Sequence, residues 1–231
     1  MKYVGSKNRI SSELLKVISP HIEDVYVEPF VGGANMIDKI SCKTRIGGDT
    51  NQYLIAMWQA LQQGWIPPKT ISNEEYDKVK NNRNSYSDYY VGLVGFCATY
   101  GSKWFGGYAR GFKADGVTLR DLPNEGIRNV LKQLPRVQDV SFILADYTSL
   151  SYPKGSVIYC DPPYANTTKY KDNFNSEEFW SWCRDMSKDY LLFISEYAAP
   201  EDFKCVWSKQ STTQLATNVH LGRVERVYKY V

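Results

Sequence analysis

Val157-Ile158-Tyr159-Cys160-Asp161-Pro162-Pro163-Tyr164 is the stretch on which the fold turns. Val157 to Cys160 is apolar and rich in β-formers, which predicts a buried strand. Asp161 falls at its carboxyl end, where open α/β sheets gather ligand chemistry. Two prolines follow; they fix φ and remove two backbone donors. A residue before proline is held extended. The loop is therefore stiff, and its carbonyls face outward without partners. Asp161 adds a carboxylate acceptor and Tyr164 an aromatic face. Together they suit a flat ring that bears an amino group. The plain alternative is a strand-ending turn. Pro67-Pro68 is a second proline pair with no strand before it, so the signal lies in the order of strand, acid, prolines and aromatic.

Outward from this stretch the pattern is α/β. Upstream, Val140 to Ala145 reads as a strand ending in Asp146-Tyr147. Downstream, Asn175-x-x-Glu178 is a capping box that opens a helix within 173–188. Tyr190 to Ser195 is a continuous apolar strand. Phe203 to Trp207 and Glu225 to Val231 read as an antiparallel end of the sheet. Between Asp161 and that helix, Asn166 to Asn173 carries Lys169, Tyr170 and Lys171 and reads as a flexible loop beside the site.

The amino-terminal part repeats the theme. After Lys2-Tyr3-Val4-Gly5-Ser6-Lys7 comes a helix to about Ile18, with Ile10, Leu14 and Val17/Ile18 as its apolar stripe and Pro20 as its stop. Val25 to Phe30 is a strand running into Val31-Gly32-Gly33-Ala34, with a helix expected after it. A strand followed by a glycine turn lets backbone N–H groups approach a ligand closely. The turn is not G-x-G-x-x-G, which argues against a nicotinamide or flavin cofactor. Thr44 to Asp49 is a short strand ending in an acid. Asp49 either holds ribose hydroxyls, as an acid at that distance can, or merely caps the helix that follows. That helix spans Asn51 to Gln63, with Leu54, Ile55, Trp58 and Leu61 on one face and Gly64 as its C′ residue.

Residues from Trp65 to about Val140 interrupt the alternation. Ser72-x-x-Glu75 opens a helix through Lys80, and Asn81 to Ser87 is turn-like. Asn124 is read as the cap of a helix to Leu134, closed by Pro135. Between these lies Tyr100-Gly-Ser-Lys-Trp-Phe-Gly-Gly-Tyr-Ala-Arg-Gly-Phe-Lys113. Glycines and aromatics interleaved with Lys103, Arg110 and Lys113 suit a loop on nucleic acid: cations meet phosphate, rings stack or wedge. An aromatic satellite core is the competing reading.

Composition sets outer bounds. The 231 residues suffice for one sizeable core with a smaller appendage. Net charge is only +3, from 28 basic and 25 acidic residues, which permits a polyanionic partner without demanding one. The five cysteines (42, 97, 160, 183 and 205) form no C-x-x-C pair, so reduced thiols in a cytosol-like compartment are expected. His21 and His220 stand apart, which disfavours zinc. No apolar run is long enough for a membrane span, and neither a repeat nor a leader is evident.

With these stretches read, the chain resembles the Dam-like DNA adenine N6-methyltransferases, which use S-adenosylmethionine. Asp161-Pro162-Pro163-Tyr164 is similar to their catalytic signature, and Glu28-Pro29-Phe30-Val31-Gly32-Gly33 to their glycine motif. Tyr3, Gly5 and Lys7 resemble their aromatic-x-Gly-x-Lys opening, and Asp49-x-Asn51 their ribose-binding acid. The resemblance implies a methyltransferase-type (Rossmann-like) doubly wound sheet over 1–64 and 136–231. It also implies a mostly helical target-recognition insert over 65–135. It implies catalytic roles for Asp161, Pro162 and Tyr164. S-adenosylmethionine, leaving as S-adenosylhomocysteine, would be held by Tyr3, Lys7, Glu28, Phe30, Gly32 and Gly33. Asp49, Asn51, Asp146, Tyr147 and Asp161 complete that implied set. Lys7 would face the cofactor carboxylate and Asp146-Tyr147 its adenine. Lys103, Tyr108, Arg110, Lys113, Lys169 and Tyr170 would meet double-stranded DNA. Gly106-Gly107-Tyr108-Ala109-Arg110 departs from the family's usual loop, so the bases read are not implied.

The same resemblance implies no metal, no membrane, and a monomer or at most a weak dimer on DNA. It implies a prokaryotic cytoplasm, with the gene carried by host, phage or mobile element, and a restriction-modification or regulatory role. Two other activities compete. N4-cytosine methyltransferases share the pocket logic but more often have Ser where Asp161 stands, and an Asn there would point to protein glutamine methylation. A silent DNA-binding relative could keep the fold, although here every motif position is filled.

Overall fold

The computed structural model describes residues 1–163, 174–216 and 219–231, and of 211–216 and 219–223 the backbone alone. Seven strands form one sheet: β1 (Val25–Glu28), β2 (Thr44–Asp49), β3 (Val140–Leu144), β4 (Ser156–Cys160), β5 (Leu191–Glu196), β6 (Phe203–Ala216) and β7 (Val219–Tyr230). Their order is β3-β2-β1-β4-β5-β7-β6. The first five are parallel, β7 runs antiparallel to β5, and β6 pairs antiparallel with β7. The expected doubly wound, methyltransferase-type α/β sheet is the one observed. Its strand order reverses between β1 and β4, where Val27 pairs with Ile158. That switch opens a crevice at the carboxyl ends of the strands.

Both faces of the central strands are covered, which is why they read as continuous apolar runs. Successive side chains alternate between faces. Tyr26, Val157, Tyr159 and Phe193 pack into one core, with α1 (Ser11–Ile18), α2 (Gln52–Gln62), α4 (Asp88–Cys97) and α5 (Leu122–Val137). Val27, Ile158, Cys160, Leu192 and Ile194 pack into the other, against α6 (Ser176–Met186). Buried tyrosines need partners for their hydroxyls: Tyr26 donates to Glu28 across 2.9 Å, and Tyr159 meets Ser195 Oγ at 2.7 Å.

Several local expectations hold. Ser72 caps α3 (Asn73–Asn81) by accepting from Glu75 N, and Asn175 caps α6 by accepting from Glu177 N and Glu178 N. Gly64 has φ +89°, as a C′ residue after α2.

Two expectations are corrected, and one helix went unread. No α-helix follows the glycine turn; one short 3₁₀ turn, Ile37–Lys39, is all that precedes β2. The helix expected from Asn124 to Leu134 starts earlier and ends later. Asp121 is its cap, accepting from Asn124 N, and Pro135 lies inside it. Proline at that position removes one ladder bond, yet Arg136 and Val137 still form its last turn, because Val137 is buried and Arg136 is held by Asp38. The third difference is α4, unforeseen in the sequence. Its run Val91-Gly92-Leu93-Val94-Gly95-Phe96 is buried throughout, so it carries no amphipathic period, and two glycines depress its helix propensity.

Residues 65–135 share their core with the sheet. Tyr76, Val79, Val91, Val94, Ile127 and Val130 belong to the same cluster as Leu14, Trp58 and Tyr159. A Cβ on Gly92 would collide with the carbonyl oxygen of Tyr53, so α4 lies directly against α2. No helix among the described residues is long and apolar enough to cross a membrane.

Candidate active site

Four strand ends and the amino-terminal segment converge at the switch-point crevice. After β1 the chain turns through Val31 and Gly32, whose φ of +46° favours glycine. A Cβ on Gly33 would sit 2.7 Å from Tyr3 Cβ, and one on Gly32 would sit 2.8 Å from the Tyr3 ring. Tyr3 therefore lies directly on the glycine turn. Its ring also meets Phe96 of α4 at 5.6 Å.

Asp49, at the end of β2, ties the turn to its own strand. Its two carboxylate oxygens accept from Gly32 N at 3.1 Å and from Asn51 N at 2.9 Å. Burial raises its pKa above the ordinary carboxylate value, and these backbone bonds offset part of that. Asn51, not Asp49, caps α2, accepting from Leu54 N at 3.1 Å. The two readings left open for Asp49 thus separate, because the capping oxygen comes from Asn51.

Glu28 is 3% exposed and lies beneath the crevice floor. Burial pushes its pKa well up, more than the Tyr26 hydrogen bond lowers it. Phe30 packs against Tyr147 at 5.4 Å and Phe174 at 6.0 Å. Tyr147 is itself buried, its hydroxyl pushed up to about 12 by that burial. Asp146 is exposed at the end of β3, where one carboxylate oxygen accepts from Thr148 N and Thr148 Oγ1. Such a turn leaves the acid on the rim of the crevice.

Asp161 leaves β4 beside the end of β1. Lys7 Nζ lies 2.7 Å from Asp161 Oδ1 and 3.2 Å from the Gly5 carbonyl oxygen. Lys7 is 6% exposed, so this ammonium is enclosed, and Pro162 beside it is buried. Tyr164, Lys169 and Tyr170, with the loop from Asn166 to Asn173, lie outside the described residues.

The sequence-predicted residues thus divide. Tyr3, Lys7, Phe30, Gly32, Gly33, Asp49, Asn51, Asp146 and Asp161 come together around the crevice. Glu28 and Tyr147 lie beneath it. Lys103, Arg110 and Lys113 are exposed on the central segment. Tyr108 is half-buried: its hydroxyl donates to the Ile71 carbonyl across 2.7 Å, and Arg110 stands 5.8 Å over its ring. The aromatics of that loop join the main core instead of forming a satellite one, with Phe105 buried in it and Trp104 and Tyr108 packed against it.

Two features escaped the sequence reading. Gln133 of α5 is 2% exposed and donates to the carbonyls of Gly33 at 3.1 Å and Ala34 at 2.8 Å. A polar residue on the apolar stripe of Ile127, Val130 and Val137 was its signal. Residues 111–120 form a small hairpin, with Lys113 N bonded to Thr118 O and Arg120 N to Gly111 O. Phe112, Val117 and Leu119 stand exposed on it; the alternation of apolar and polar residues in Val117-Thr118-Leu119-Arg120, after Asp115-Gly116, was the cue. No group of three His, Cys, Asp or Glu suited to a metal ion stands among the described residues.

Comparison with known proteins bears on this geometry. Residues 3–95 match a family model described as D12 class N6 adenine-specific DNA methyltransferase. That is the family the motifs resemble, and it supports methyl transfer as the reaction class. No curated protein matches the chain. Among solved structures, the rRNA methyltransferase aviRa from Streptomyces viridochromogenes is similar at 10% identity, over 96% of this chain and 84% of that one, with a TM-score of 0.42. A proposed RNA methyltransferase, PH1948 from Pyrococcus horikoshii, is similar at 8% identity over 96% and 80%, with a TM-score of 0.41. SMU.472, a proposed methyltransferase complexed with SAH, is similar at 9% identity over 97% and 52%, with a TM-score of 0.40. At these scores the likenesses decide nothing about substrate.

Proposed function

We propose that this chain, matched over residues 3–95 to the D12 class of N6 adenine-specific DNA methyltransferases, transfers a methyl group from S-adenosylmethionine to N6 of an adenine flipped out of double-stranded DNA. One observation carries the reading: Asp161, paired with Lys7, stands across the switch point from a glycine turn tied to Asp49. A substrate amine and a cofactor have to meet in such a crevice.

The residues present fit the cofactor. Gly32 and Gly33 carry no side chains of their own, and Tyr3 rests directly on their backbone. When bound, S-adenosylmethionine supplies an electrophilic methyl group. Lys7 would face its carboxylate, Asp49 and Asn51 its ribose, and Tyr3, Phe30 and Asp146 its adenosyl part. Glu28 and Tyr147 support these from below.

An exocyclic amine is a poor nucleophile because its lone pair is delocalised into the ring. The Asp161 carboxylate and the Pro162 carbonyl accept its two N–H groups and draw the nitrogen toward tetrahedral geometry. That leaves the lone pair free to react. Fixing both reactants in line supplies much of the rate. Tyr164 is assigned stacking on the base, which has to leave the duplex because the helix hides its reacting atom.

Residues 65–135 are assigned target recognition, with the catalytic unit at 1–64 and 136–231. Lys103, Arg110 and Lys113 meet phosphates, and Tyr108 holds the loop that presents them. Lys169 and Tyr170 are also assigned to DNA binding. The chain is proposed to act as a monomer in a prokaryotic cytoplasm.

The test is to incubate the protein with methyl-labelled S-adenosylmethionine and DNA, then digest to nucleosides. Label in N6-methyldeoxyadenosine is expected. Label in N4-methyldeoxycytidine would overturn the base assignment. An absence of label, with DNA still bound, would point to a silent relative.

A further inference from the structure

One carboxylate outside the residues discussed so far faces the same ammonium as Asp161. Glu225 lies on β7 just beyond Arg226, which pairs with Glu196 at the end of β5. It therefore stands where β7 passes the carboxyl edge of the parallel strands. Its Oε2 is 3.9 Å from Lys7 Nζ. Its ladder partner is Lys209, whose own ammonium is engaged by Glu13 of α1. Lys7, Glu225 and Asp161 are 6%, 19% and 23% exposed, so the ammonium is enclosed and the two acids are partly so.

We propose that Glu225 is a positioning residue for Asp161 and acts through Lys7. The proposal rests on reading Asp161 as the acceptor of the target amine. An ammonium has three protons to donate, and one is directed to the Gly5 carbonyl. A lysine held by Asp161 alone would draw heavily on that carboxylate and weaken it as an acceptor for a second donor. Shared with Glu225, the ammonium draws less, and Asp161 keeps more negative charge for the substrate. The lysine is also fixed between two acids on different strands, so it cannot follow one of them.

Among the described residues, the titratable groups near Asp161 also include Glu28 on β1 and Tyr159 and Cys160 on β4. Burial favours the uncharged form of all three. Lys7 and Glu225 add the ion-pair geometry on which the proposal stands.

The experiment uses E225Q in the full chain. Single-turnover methyl transfer to DNA, which leaves product release out of the rate, is followed from about pH 5 to 9. Removing a nearby negative charge favours the ionised carboxylate at lower pH. The acidic limb should therefore move down by about half to one pH unit, and the plateau rate should fall several-fold. E225D, which keeps the charge, should return the limb toward the wild-type position. E225S gives the same charge removal should the glutamine variant not fold. Lys209→Met breaks the tie to α1 without touching Lys7, and should leave the limb in place. A limb unmoved by loss of the Glu225 charge, or moved equally by Lys209→Met, overturns the proposal. A wild type that methylates no DNA refutes the proposed function instead.

Discussion

Gln133 Nε2 lies 2.8 Å from the carbonyl oxygen of Ala34, so a helix of the central segment holds the turn that follows β1. Both groups are buried, and neither has water to replace the other. Gln133→Ala should leave the carbonyls of Gly33 and Ala34 without their donor. A buried polar group stripped of its partner costs about 1–3 kcal/mol, to be read in urea unfolding. Calorimetry with S-adenosylmethionine should show weakened binding as well, because the turn loses its brace. A variant with wild-type stability and affinity would mean that the turn holds itself.

Asp49→Ala removes the acceptor of Gly32 N and Asn51 N together. Affinity for S-adenosylmethionine should fall by about 1–3 kcal/mol, the scale for orphaned partners in a closed site. Unchanged affinity would remove Asp49 from the binding site.

Glu28 gives a pH dependence with a definite sign. Burial holds its pKa well above the ordinary 4.5. Above that value the unfolded chain has released a proton that the folded chain keeps. Unfolding then releases a proton, so stability falls as pH rises, until the folded carboxyl also ionises. Glu28→Gln keeps the shape and can still accept from the Tyr26 hydroxyl, but cannot ionise. Stability measured by urea unfolding between about pH 5 and 8 should decline less steeply in the variant. Parallel slopes would mean that Glu28 does not carry the dependence.

For the chemistry, Asp161→Ala should abolish methyl transfer while DNA binding remains. Asp161→Asn keeps one accepting oxygen and should retain trace activity, down about a hundredfold or more, as when one preorganised hydrogen-bonding group is lost. Methylation at the wild-type rate in Asp161→Ala would refute the mechanism.

Arg110→Ala and Lys113→Ala should weaken binding to all DNA sequences alike. Each should also reduce the salt dependence of binding by roughly one unit of slope. A loss confined to one target sequence would mean that these side chains read bases.

Much of the site was legible because its residues fall at strand ends, and strand ends are marked by changes in local chemistry. Val157 to Cys160 is apolar and Asp161 is not; Ile46 to Gly48 is buried and Asp49 closes the strand. Contacts between segments distant in sequence were not legible. Nothing near Lys7 announces that its ammonium meets Asp161, and nothing near Glu225 announces Lys7. Gln133 could be suspected from its place on an apolar stripe, but its partners could not. The helix α4 was hidden because burial on every side erases periodicity, and Gly92 and Gly95 read as breakers. Pro135 read as a stop, yet tertiary contacts at Arg136 and Val137 carried the helix past it.

The contact between Gly92 and the Tyr53 carbonyl limits how this protein could be re-engineered. On the proposed function, exchanging residues 65–135 for the corresponding stretch of a relative is a route to a new target sequence. Here that exchange would replace one side of an interface whose other side, α2, begins just after Asn51. Any graft would need glycine at position 92, or a matching change along α2. It would also need an amide where Gln133 meets the glycine turn. Even one added methyl group, as in Gly92→Ala, should force the two helices apart and cost about 1–3 kcal/mol.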